Sequence, residues 1–142
     1  MKIKKRAIVK HILTPRYRDH LLSEIKKDRY QAQEEMEQLE FQLHKRMKEE
    51  TDGSRRRFIK DKYEGEMSRR RERIEQASFK ESRISALPED AEIPRETVET
   101  YRNVQVGDVW AEISGEEEII VKDGIVDSIR KRGRTEEDDD FI

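Results

Sequence analysis

The strongest constraint on this chain is an apolar seam that runs through a charge-dense stretch, Thr14 to Leu87, interrupted once at Thr51-Asp52-Gly53-Ser54. Leu22, Ile25, Arg29, Ala32, Met36, Leu39 and Leu43 recur at alternating steps of three and four, the period of a coiled coil, with Arg29 the polar intruder. At 1.5 Å per residue such a run makes an arm of about 50 Å, and a long helix with so narrow a stripe needs a partner. Past the break, Tyr63, Met67, Arg70, Ile74, Ala77, Glu81 and Ile84 keep the same spacing less cleanly. The two arms are similar in length, which lets the second return antiparallel along the first.

The boundaries of this stretch have local causes. Thr14 has the side chain of an N-cap, and Pro15 has the fixed φ and missing donor suited to the first helical position. Asp52-Gly53 tolerates the left-handed backbone at which a helix stops and turns. Pro88 and Pro94 are expected to close the helical region.

Charged residues are 45% of the chain and hydrophobic ones 32%, too polar for one compact globule of 142 residues. The periodic apolar positions favour long solvated helices over disorder. Residues 1–87 hold 24 Lys/Arg against 16 Asp/Glu, while 88–142 hold 7 against 17, so a dipolar molecule is expected. There is no cysteine, hence no disulfide framework or thiolate metal site, in keeping with a cytoplasmic location. No 18-residue apolar run occurs, so no membrane span is expected.

Outside the helices the sequence is of β type. Arg6 to Leu13 is β-branched and apolar with charges between and reads as a first strand. Thr97-Val98, Thr100-Tyr101, Val104 to Ile113 and Ile119 to Ile129 supply the rest, with Val109, Ala111 and Ile113 on one strand face. Asp123-Gly124 between apolar runs marks a hairpin with a type I′ turn. Four or five short strands predict a small β barrel or rolled sheet, with Trp110 and Tyr101 in its core.

The expected fold is therefore α+β: a long antiparallel helical hairpin, a coiled coil, inserted after the first strand of that barrel or sheet. Residues 1–13 form the first strand, 14–87 the hairpin with its turn near 51–54, 88–130 the remaining β module, and 131–142 a flexible charged tail.

This order of an apolar strand, a charged helical hairpin, Val104-Gln105-Val106-Gly107-Asp108-Val109-Trp110 and Ile120-Val121-Lys122-Asp123-Gly124-Ile125-Val126 resembles the bacterial YlqD-like family. The resemblance covers nearly all of the chain and implies a bacterial cytoplasmic protein. It brings no catalytic residues with it.

The residues themselves give little to chemistry. His11, His20 and His44 lie apart, with no pair at metal-ligand spacing, and no glycine-rich phosphate loop occurs, so no cofactor or metal is expected. Thin helices and a small β module offer little enclosure for an acid/base pair, so neither an enzyme nor a small-molecule substrate is expected. By alternation Asp127 shares a face with Ile125 and Ile129 and reads as a strand-edge or rim residue, and Asp108 beside Gly107 reads as a turn former.

Interaction is the better-supported class. Leu22, Ile25, Ala32, Met36, Leu39 and Leu43 are the candidate seam for homo-oligomerisation. Arg55, Arg56, Arg57, Lys60, Arg69, Arg70, Arg71 and Arg73 form a basic stripe with Phe58 and Tyr63 among them, a candidate contact for RNA or a ribonucleoprotein. The competing explanation is a solvated face that pairs with the acidic residues of the first arm. Glu49, Glu50 and Asp52 lie near the hairpin tip, but the adjoining arginines give it the wrong sign for delivering a metal.

Overall fold

A computed structural model of the chain describes residues 1–131. Those residues form two compact units: Met1–Tyr17 with the residues from Pro88 on, and Arg18–Leu87. The charged tail expected over residues 131–142 lies outside the described residues, apart from Lys131.

The first unit is an open, mixed, four-stranded sheet in the order β2-β1-β3-β4. The central strand β1, Lys2–Ile12, pairs antiparallel with β2, Glu92–Asn103, along its whole length. On its other side it pairs in parallel with β3, Glu117–Lys122, but only from Ala7 to His11. β3 continues through a hairpin into β4, Ile125–Lys131. Asp123 and Gly124 have φ of 48° and 82°, the two positive values that a type I′ turn requires.

The expected barrel does not close. β2 and β4 pair on one side only and remain edges, and β4 is exposed along its whole length. Each edge carries an irregularity of the kind that blunts it. The register of β2 shifts at Val9/Lys10, beside Pro94, so that proline lies within an edge strand instead of ending the helical region. The register of β4 shifts at Ile120/Val121, which makes Asp127 the unpaired extra residue. Alternation is broken there, and Ile129 lies with Val126 opposite Ile119 and Val121 instead of sharing a face with Asp127 and Ile125.

A second correction concerns Val104 to Ile113. Gly107 has φ of 99°, and Asp108 accepts a hydrogen bond from the Gln105 amide at 2.8 Å, so a turn replaces the expected strand. A single helical turn, α3, follows at Trp110–Ser114. Its one buried residue is Ile113, while Trp110 and Tyr101 are 64% and 62% exposed and so are not core residues. The apolar core of the sheet is small: Ala7, Val9, Leu13 and Ile120 are its buried apolar strand and strand-end residues.

The second unit contains two long helices. α1 spans Pro15–Glu49 and α2 spans Gly53–Ala86. The α1 cap is as the sequence indicates, with Tyr17 N–H donating to Thr14 Oγ1 at 3.1 Å. The break between the helices does not use a left-handed glycine. Asp52 is extended, its amide donates to Glu50 Oε1 at 3.1 Å, and Gly53 already belongs to α2. Leu87, before Pro88, is extended and ends α2.

Candidate interaction surfaces

The two helices lie side by side and antiparallel, as their ion pairs show. Arg29 reaches Glu81 at 2.9 Å, Arg70 and Arg73 each reach Glu35 at 3.2 Å, and Arg73 also pairs with Asp28. The Arg73 guanidinium hydrogen-bonded to Asp28 holds that carboxyl below its usual range, and Arg70 does the same to Glu66.

Each helix also caps the other. A helix leaves its last carbonyls without intrahelical donors. Arg18, in the first turn of α1, donates to the carbonyls of Ile84, Ser85 and Leu87 at the end of α2. Arg56, in the first turn of α2, donates to the carbonyls of Met47 and Glu50 at the end of α1.

These contacts divide the basic stripe. Arg56, Arg70 and Arg73 are committed to α1, and Arg69 bonds Glu66 in its own helix at 3.0 Å. Arg55 is exposed and only 3.8 Å from Asp52. Arg57, Lys60 and Arg71 are exposed, with no ion pair among the described residues, and Phe58 beside them is 70% exposed. What separates the two groups is the inner face of α2: Arg56, Arg70 and Arg73 fall near the buried Ile59, Met67 and Ala77 in helical phase.

Of the candidate seam, Ala32 is buried, while Leu22, Ile25, Met36, Leu39 and Leu43 are only half-buried. Leu21, Ile59, Met67 and Ala77 are buried too. Leu21 lies one residue off the three-four template that starts at Leu22, and Ile59, in phase with Tyr63, lies four residues before the point at which the second template starts.

The sheet carries a charge network on each face. Register partners share a face, which places Lys10, Glu118 and Arg130 together. Glu118, buried, accepts from Lys10 Nζ and Arg130 Nε, each at 2.8 Å, and Arg130 also pairs with Glu92. Burial alone pushes the Glu118 carboxyl up, but the two cationic donors outweigh it and hold the group below its usual range. On the other face Glu117 accepts from Arg102 at 3.3 Å and stands 3.8 Å from Lys5.

No group of three or more metal-ligating side chains occurs among the described residues. His11 stacks on Tyr17 at 4.9 Å, His20 pairs with Glu24 at 3.1 Å, and His44 is exposed. No helix among the described residues is long and apolar enough to cross a membrane.

An open mixed sheet interrupted after its first strand by two long helices is thus an α+β fold. The chain belongs to the YlqD protein family, whose profile matches residues 1–130. It is 28% identical over 132 residues to the uncharacterized protein YlqD of Bacillus subtilis (strain 168), which covers 93% of this chain and 100% of that protein. The crystal structure of a protein of unknown function from Synechococcus sp. WH 8102 shares the fold. Its TM-score is 0.72 at 21% identity, covering 92% of this chain and 94% of that one.

Proposed function

We propose that this chain is a non-enzymatic interaction protein of the cytoplasm that associates with further copies of itself through its paired helices, as a coiled coil extended beyond two strands. The supporting observation is that Leu22, Ile25, Met36, Leu39 and Leu43 stay half-buried after α1 and α2 have paired. A seam that one partner helix covers only in part gains further burial from another. Light scattering across a wide concentration range tests the reading. Oligomers that dissociate on Leu39→Glu support it, and a monomer throughout the range sinks it.

A second reading, RNA binding, draws support from Arg57, Lys60 and Arg71, which have no ion pair among the described residues and stand near the exposed Phe58. It predicts a salt-sensitive gel shift that is lost in Arg55→Glu/Arg57→Glu/Lys60→Glu and unchanged in Arg73→Met. The absence of any shift at low salt removes it.

A further inference from the structure

Among the described residues one buried side-chain polar atom has no hydrogen-bond partner, the Lys5 ammonium. The Lys5 side chain is 5% exposed, and its nearest acid, Glu117, stands 3.8 Å away with the same oxygen already engaged by Arg102. An ammonium removed from water without a hydrogen bond is strongly disfavoured, so a further acceptor is expected beside it.

The surroundings indicate what that acceptor is. Ile3, Lys4, Lys5 and Arg6 line a groove of about 280 Å³ together with Trp110 and Glu116, so that three cationic side chains stand in it against one carboxylate. Successive strand residues point to opposite faces, so four in a row line one groove only when it runs along the edge of the strand. Over this segment β1 has an open edge: β2 pairs with it on one side, and β3 begins only opposite Ala7 on the other. Lys4 and Arg6 are exposed at this edge and have no ion pair among the described residues.

We propose that this groove binds an extended acidic peptide, which adds a short strand to β1 in the lane that β3 does not reach and presents a carboxylate to Lys5. The open main-chain edge supplies the hydrogen bonds of strand addition, and Lys4, Lys5 and Arg6 supply the charge selectivity. The exposed Trp110 ring supplies an apolar wall for an alternate side chain. This site lies in the sheet unit and is independent of the association proposed for the helices.

The single tryptophan of the chain is its own reporter. The full-length protein is titrated with an acetylated peptide of alternating Glu and Val, with its Gln counterpart and with inorganic phosphate, following Trp110 emission and heat release in parallel. The Glu peptide is expected to saturate both signals, with affinity falling about tenfold in Lys5→Met and on raising salt. Lys4→Glu/Arg6→Glu, at exposed positions, should abolish binding while circular dichroism stays unchanged. An equal response to the Gln peptide or to phosphate overturns the proposal, as does silence in both signals.

Discussion

The Thr14 hydroxyl donates to Asp123 Oδ1 at 2.6 Å and accepts from the Tyr17 amide at 3.1 Å, so one side chain both starts α1 and fastens the β3–β4 turn. That bond to the carboxylate joins residues 109 apart in sequence. Thr14→Ala should cost about 1 kcal/mol for the cap and about 1 more for the bond to the carboxylate. Thr14→Ser keeps both bonds and should lose less than half of that, and Asp123→Asn, which keeps an Oδ1 acceptor but removes its charge, should lose no more than the second part. Urea unfolding followed by circular dichroism measures the series, and equal losses for Ala and Ser would show that the hydroxyl contributes little.

Burial in the sheet unit is concentrated in a few residues. Leu13 and Ile120 are its largest fully buried side chains, while Ile125 and Ile129 of β4 are exposed. Leu13→Ala or Ile120→Ala should each cost about 2–5 kcal/mol, and Ile125→Ala or Ile129→Ala within about 0.5. A large loss for the β4 variants at high protein concentration that disappears on dilution would place that strand in an interface between copies.

Acid should weaken the sheet through Glu118. Its folded pKa is lowered, so its contribution is fully present above the unfolded value, about 4.3, and is lost as pH falls through the folded value. The thermal midpoint of the wild type should therefore hold down to about pH 5 and then fall. Glu118→Gln should lose about 1–3 kcal/mol at neutral pH and show a shallower acid limb. An acid limb identical to the wild type would mean that other carboxylates govern it, with Asp28 and Glu66 the next to test because their pKa values are lowered too.

What the sequence made legible was local. Thr14-Pro15 starts α1, the interval before Gly53 separates the helices, and Asp123-Gly124 turns the β3–β4 hairpin, each through side chains adjacent to the event. Val104 to Ile113 misled because its alternation reads as a strand, whereas Gly107 at positive φ and the Asp108 turn break it, and one helical turn is too short to show a period. The parallel pairing of β1 with β3 follows from partners 110 residues apart, such as Ala7 and Glu117, for which no local pattern exists. The isolation of Lys5 is equally non-local, since it depends on where β3 begins and on Arg102 reaching Glu117. In the basic stripe, spacing located the arginines, but only the phase of α2 against its buried Ile59, Met67 and Ala77 separates those that hold the helices from those left to solvent.

Reciprocal capping makes a prediction of its own. Arg18 and Arg56 each satisfy terminal carbonyls of the opposite helix, so Arg18→Met and Arg56→Met should each destabilise the helices by about 1–2 kcal/mol, the usual worth of partly exposed charged hydrogen bonds. Arg57→Met, one residue away and exposed, should be neutral within about 0.5 kcal/mol. Equal effects at 56 and 57 would show that charge density in the first turn of α2 matters and the caps do not.

The ion-pair ladder between the helices can be tested by exchange. Arg73→Glu sets a third carboxylate against Asp28 and Glu35, and should lower the helical melting midpoint and promote fraying. Combining it with Asp28→Arg restores one pair in reversed polarity and should recover part of the loss, the coupling that a double-mutant cycle isolates. Arg73→Glu should hurt more at low salt than at high salt, because these groups are largely solvated and the repulsion is screened. Because the residues lie between α1 and α2 of one chain, the loss should not depend on protein concentration. A concentration-dependent loss would instead mean that α1 of one copy pairs with α2 of another, through the same residues in an exchanged arrangement.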